Sequence, residues 1–238
     1  MFKNLIRGKT VAIIQSNYIP WKGYFDMINL VDEFVLLDDV QYTRRDWRNR
    51  NKIKTAQGLH WLSIPVEVKG KYDVAISEVT VADQAWASIH WKTLVHAYGK
   101  APCFNEIRQW LEPLYADMPS RLSEINKTFI DGVNRYLGIT TPVHWSSSFL
   151  TPDEKSLRLL SICRELNASC YLSGPAAKDY LDVHQFEEAG IAVEWMDYSG
   201  YPEYPQLYPP FVHGVSILDL IFNTGKRSVE NMKSFTLL

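Results

Sequence analysis

Val11-Ala-Ile-Ile-Gln-Ser-Asn-Tyr-Ile-Pro-Trp-Lys-Gly-Tyr-Phe-Asp-Met-Ile-Asn-Leu-Val-Asp-Glu-Phe-Val-Leu-Leu37 is the stretch whose reading decides the fold. It opens on a short apolar run, Val11–Ile14, of the length and composition of a buried strand. Asn17-Tyr-Ile-Pro20 then turns the chain, and from Gly23 to Val31 the apolar residues Tyr24, Phe25, Ile28 and Val31 recur at helical spacing. A second apolar run, Glu33–Leu37, follows. Strand, short helix, strand is a βαβ unit, which implies parallel pairing and a right-handed crossover. In an open sheet of this kind ligands sit beyond the carboxyl ends of the strands, so the loops after residues 14 and 37 are where chemistry is expected.

Working outward, His60–Val66 reads as a further strand and Asp73–Val81 alternates as another. Residues 83–98 and 104–137 predict three helices, the last ending near Gly138. A strand over His144–Phe149, a helix from Pro152 to Asn167, strands at Cys170–Ser173 and Ile191–Met196, and a helix over about 215–223 complete the chain. Asp197–Pro210 holds four Pro and four Tyr and predicts an ordered irregular loop. The expected architecture is α/β, a mostly parallel, Rossmann-like sheet in one domain over residues 1–238, with a helical insertion at about 83–138.

Residues 38–54, Asp-Asp-Val-Gln-Tyr-Thr-Arg-Arg-Asp-Trp-Arg-Asn-Arg-Asn-Lys-Ile-Lys, carry the chemical signal. Two acids end the second strand, and six bases then fall within eleven residues, interleaved with Trp47, Asn49 and Asn51. A solvated helix face is built from Lys and Glu. Forked guanidinium donors beside amides and an indole in one loop suit a ligand with anionic and ring-shaped parts. As neighbours at a strand end, Asp38 and Asp39 point to opposite sides, so one of them faces the site as an orienting group or general base. A Mg²⁺ role has no third carboxylate nearby to support it.

Composition sets the bounds. At 238 residues with a net charge of −2, the chain lacks the basic excess of a nucleic-acid-binding domain, and the bases at 44–54 therefore imply one anionic ligand. Eight Trp and thirteen Tyr provide polar-tipped rings of the kind that line sugar and nucleotide pockets. Cys103, Cys163 and Cys170 form no CxxC pair and no Cys/His cluster, which predicts reduced thiols and no zinc site. There is no P-loop and no Gly-x-Gly-x-x-Gly, so no bound cofactor is expected. The charged N-terminus is unlike a signal peptide and no apolar run reaches membrane-spanning length, which predicts a cytoplasmic protein without membrane insertion.

Several pieces together resemble the WbqC-like protein family: Gln15–Asp26, Asp38–Tyr42, Trp47–Asn51, Trp61–Pro65, His90-Trp91, Tyr98–Pro102, Tyr171–Gly174 with Tyr180-Leu181, and Tyr204–Gln206 with Ser216–Asp219. The resemblance spans about residues 11–225. It implies a place in the assembly of O-antigen and other bacterial surface polysaccharides, and it supplies a pathway more firmly than a reaction.

The catalytic candidates are Asp38, Asp39 and His90; spacing alone makes His90 a core histidine, and the resemblance adds it to the set. Substrate-binding candidates are Gln15 and Tyr18 after the first strand, and Gln41 and Tyr42 after the acids. Arg45, Trp47, Arg48, Asn49, Arg50 and Asn51 follow in the basic stretch, and Ser173 and Tyr180 flank the later strand. The expected activity is transfer of an acyl or aminoacyl group, with a carrier-protein thioester as donor, to the amine of a nucleotide-linked amino sugar or similar small molecule. Two alternatives stay open: a nucleotidyltransferase or glycosyltransferase using the same pocket, and a non-catalytic adaptor that binds a carrier protein.

Overall fold

Five parallel strands form the centre of the protein in the order β5-β2-β1-β6-β7, seen in a computed structural model that describes residues 8–70 and 73–236. Strand β1 is Thr10–Ile14, helix α1 Lys22–Leu30 and strand β2 Glu33–Leu36, so the opening βαβ unit forms as its sequence predicts. Val11 to Ile14 pair in parallel register with Glu33 to Leu36. Strand β5 (Val143–Trp145) lies beyond β2, while β6 (Cys170–Ser173) returns to the other side of β1 and β7 (Ala192–Trp195) extends that flank. The direction of winding reverses between β1 and β6. That reversal opens a crevice at the carboxyl ends of the two strands, where ligands of such sheets bind.

Side chains on β1 and β2 alternate between two apolar layers. Ala12, Phe34 and Leu36 join the larger core built on α1, whereas Val11, Ile13 and Val35 face α5 (Lys155–Glu165) and α6 (Val183–Glu188) through Leu159, Ile162 and Phe186. Burial on both faces explains why these strands read as continuous apolar runs.

Helices α2 (Trp86–Tyr98), α3 (Phe104–Ala116) and α4 (Leu122–Leu137) pack on the larger core. Gly138 ends α4 in a left-handed conformation, φ 77°, and its N–H closes on the Asn134 carbonyl. Helix α7 (Ile217–Thr224) and the short α8 (Lys233–Thr236) finish the chain. The Asp197–Pro210 loop is irregular and ordered by polar anchors. Tyr201 donates to Asp26, and Tyr204 and Gln206 donate to Asp219.

Three expectations need correction. The basic segment is not all loop: Arg50–Thr55 is strand β3, paired antiparallel with β4 (Gly58–Ser63). Its alternation places Asn51 and Ile53 inward and Arg50 and Lys52 on the other face, but a single apolar residue makes a weak signal. The two-residue turn Ala56-Gln57 also lacks the Asn-Gly or Asp-Gly chemistry that marks a hairpin. Second, β4 belongs to this hairpin and not to the parallel sheet. Third, Asp73–Val81 is no strand. It makes isolated bridges to Gln41, Val66 and Arg121 around a single tight turn, Ile76–Glu78. No helix among the described residues is long and apolar enough to cross a membrane.

Candidate functional site

The chain leaves β1 through Gln15, Ser16 and Asn17, and leaves β2 through Asp38 and Asp39. Because the strands are in register, these two exits are adjacent. The Ser16 backbone N–H donates to Asp38 Oδ1 at 2.8 Å. Asp38 is 2 % exposed, and its second oxygen, Oδ2, has no hydrogen-bond partner among the described residues. Burial raises its pKa above the ordinary carboxylate range, against the opposing pull of the Ser16 N–H and the Arg48 charge. Asp39 turns the other way, and the Ser146 hydroxyl beyond β5 donates to it at 2.5 Å. The two acids therefore differ: Asp38 is buried against the Ser16 N–H at the exits of β1 and β2, and Asp39 is held by Ser146.

Arg48 arches over this point. The Trp47 carbonyl accepts from the Tyr18 N–H at 3.0 Å, and the Asn126 amide on α4 donates to both the Arg48 carbonyl and the Ser16 hydroxyl at 2.9 Å. The guanidinium, with its side chain only 11 % exposed, donates to the Asn17 side-chain oxygen and reaches Asp46 at 3.4 Å. Its Nε–H is buried without a partner among the described residues. Asp46, Tyr24, Asp38 and Tyr180 all lie close enough for their charges to act on it. The Arg48 guanidinium and the Asp38 carboxylate thus lie within reach of each other's charge, each with one buried polar atom unpaired among the described residues, the kind of polar group that a ligand or a water completes. Gln15 sits at the same exit, and its side-chain amide makes no hydrogen bond among the described residues.

Trp47 and Trp61 extend the site outward. They are 42 % and 38 % exposed, with ring centroids 5.4 Å apart. Arg50 lies over the Trp61 ring at 4.2 Å, with its amine end on the Arg45 carbonyl, and Lys52 lies over Trp61 at 4.9 Å and Trp47 at 5.9 Å. A cavity of about 330 Å³ adjoins them, lined by Asn17, Pro20, Trp21, Trp47, Asn51 and Gly214.

Other candidates are placed elsewhere. Tyr18 is fully buried, its hydroxyl held by His90 Nδ1 at 2.9 Å and Tyr115 at 2.8 Å. His90 is enclosed with it, packed against Trp86 at 5.1 Å, and burial lowers its pKa to about 4. Both side chains have the surroundings of core residues, not of a crevice. The Ser173 hydroxyl is turned toward Tyr171 OH at 3.3 Å, away from solvent. Asn51 spends its amide on the Tyr18 and Ile19 carbonyls and the Lys52 N–H, fixing the turn after β1. Asn49 holds the Ile64 carbonyl at 2.8 Å. Gln41 bridges to Ala75 and donates to Asp73, and Tyr42 is buried beside the charges of Asp46, Arg50 and Arg48.

Sequence reasoning missed Asn17, Asn126 and Lys22. Asn126 had a signal, since it falls on the apolar face of α4 with Phe129, Ile130 and Val133. Lys22 is buried over Tyr201 and Tyr204 with its ammonium on the Pro202 carbonyl, and burial lowers its pKa to about 8. Nothing in its local sequence announces that. Among the described residues no group of three or more His, Cys, Asp or Glu could hold a metal ion.

An uncharacterized protein of Mycobacterium tuberculosis, Rv1507c, is 46 % identical over 226 residues, which cover 94 % of this chain and 98 % of the relative. No solved structure matches the chain. The sequence profile of the WbqC-like protein family matches residues 15–231, a span that takes in the exits of β1 and β2, the Arg48 arch and the hairpin, and the chain belongs to that family.

Proposed function

We propose that this protein is a transferase of bacterial surface-polysaccharide or related secondary-metabolite assembly, which moves an acyl or aminoacyl group from a carrier-protein thioester to the amine of a phosphate-bearing, nucleotide-linked amino sugar. The observation that carries the reading is the pair of buried polar atoms, Asp38 Oδ2 and Arg48 Nε–H, that have no partner among the described residues next to the strand exits. Arg48 holds a phosphate oxygen of the acceptor. Asp38 takes the proton from the acceptor ammonium. The freed amine attacks the thioester carbonyl, a C–N bond forms, the C–S bond breaks, and the leaving thiolate takes up a proton. Rate comes from positioning the two substrates and from a carboxylate made more basic by burial. With its pKa raised, Asp38 is active in its deprotonated form, so turnover rises with pH through a value above that of an exposed carboxylate.

The test is a thermal-shift screen against nucleotide amino sugars, coenzyme A thioesters and loaded carrier proteins, followed by mass-spectrometric detection of an amide product. Asp38→Asn is expected to lower kcat by about 10²–10⁴-fold, the usual contribution of a general base. Arg48→Met is expected to raise KM for the phosphate-bearing acceptor. Release of pyrophosphate or nucleotide without an amide would favour nucleotidyl or glycosyl transfer. A folded protein stabilised by none of these compounds would favour the carrier-protein adaptor.

A further inference from the structure

The Arg48–Asp38 crevice does not end at those two residues. Asn17, whose side-chain oxygen accepts from Arg48, is also a wall of the 330 Å³ cavity, and Trp47, the residue before Arg48, is another. Asn17 therefore links a wall of the cavity directly to the Arg48 guanidinium. The size of the cavity is at the small end of ligand pockets, about 300–1,000 Å³, which suits one ring system with its immediate substituent.

The walls decide which ring. Trp21, Trp47 and Pro20 present apolar or aromatic surface. Asn51 has no open amide to give, since its nitrogen donates to the Tyr18 and Ile19 carbonyls and its oxygen accepts from the Lys52 N–H. The amide donor left is the Asn17 nitrogen, which has no partner among the described residues. A sugar ring carries hydroxyls around its whole edge, and burying them here would leave several unsatisfied. A nucleobase has two apolar faces that stack on indole and an edge of carbonyl oxygens and ring nitrogens that accept from such a donor. Beyond the Trp47 wall, Lys52 lies over Trp47 and Trp61 and Arg50 over Trp61, which supplies cations beside the cavity for a phosphate attached to that ring.

We infer that this cavity is a nucleobase subsite, so that the substrate of the crevice is a nucleoside 5′-phosphate derivative with its base between Trp21 and Trp47 and its phosphate between the hairpin cations and Arg48. This deepens the transferase reading and rests on it.

The test measures binding of four nucleoside 5′-monophosphates, ribose 5-phosphate and glucose 1-phosphate by calorimetry and tryptophan fluorescence. The proteins are the native chain, Trp47→Leu and Arg48→Met, with circular dichroism confirming that each variant is folded. At least one nucleotide is expected to bind about tenfold more tightly than ribose 5-phosphate and to quench tryptophan emission, which is within the range of one base–aromatic stack. Trp47→Leu should remove that tenfold margin, whereas Arg48→Met should weaken both ligands and leave the margin between them. If nucleotides and ribose 5-phosphate bind alike, the base subsite is wrong while the anion site at Arg48 stands. Tighter binding of glucose 1-phosphate than of any nucleotide would overturn the subsite in favour of a sugar ring. Binding of no phosphate compound by the folded native chain would overturn both readings.

Discussion

Acidification should destabilise this protein through His90, by an amount that follows from its surroundings. The ring is 4 % exposed, between Trp86 and Tyr18. The Tyr18 hydroxyl lies 2.9 Å from Nδ1, the Ser63 backbone is a further polar neighbour of the ring, and the histidine is neutral. A second ring proton would place a charge in an aromatic core. Burial accordingly lowers the pKa from 6.5 to about 4. The unfolded chain therefore binds one more proton than the native protein between those values. The stability contributed by neutral His90 is present above pH 6.5 and is lost as pH falls toward 4. The limiting loss is about 3 kcal/mol, and the part lost between pH 7 and pH 5 is about 2 kcal/mol. Urea unfolding at pH 7 and pH 5, for the native chain and His90→Gln, isolates this effect because every other titrating group is common to both. Glutamine can keep polar contacts with Ser63 and Tyr18 without titrating. The native chain should lose about 2 kcal/mol more than the variant, or about 4–8 °C in Tm for a chain of this size. Equal losses in the two proteins would show that His90 is not held neutral in the core, and would return it to the list of candidate acids and bases.

Asp38→Asn should raise Tm at pH 7 or leave it unchanged while lowering kcat as stated above, because it removes a buried charge with one oxygen unpaired among the described residues and keeps an acceptor for the Ser16 N–H; a large drop in Tm by differential scanning fluorimetry would mean the carboxylate is structural. Gly138→Ala should cost about 1 kcal/mol in urea unfolding, since φ is 77° and no atom lies within 4 Å of the added methyl, leaving only backbone strain. A neutral outcome there would show that the end of α4 relaxes to another conformation.

Much of the fold was legible because the sheet is buried on both faces. Val11–Ile14, Glu33–Leu37 and Cys170–Ser173 had to be continuous apolar runs, and such runs survive inspection without partners. The hairpin was not legible, because Arg50–Thr55 has one apolar residue and owes its strand geometry to pairing with Gly58–Ser63 and to the core under Ile53. The site divided in the same way. Asp38 and Arg48 stood out by residue type and by position after a strand. For Tyr18 and His90 the sequence left both readings open, since polar-tipped rings serve a pocket or a core equally well and only the tertiary structure shows their enclosure by Trp86, Tyr115 and Phe129.

The sequence by itself determined the alternation of strands and helices, the parallel βαβ start and the local concentration of guanidinium groups, because these rest on periodicity and composition within a few residues. Only the tertiary structure decided which acid is buried at the strand exits, that Arg48 and not Arg45 is buried there, and that Asn17, Trp21 and Trp47 enclose a cavity. Those outcomes depend on strand order and on contacts such as Asn126 to Arg48, 78 residues apart, whose geometry no local pattern encodes.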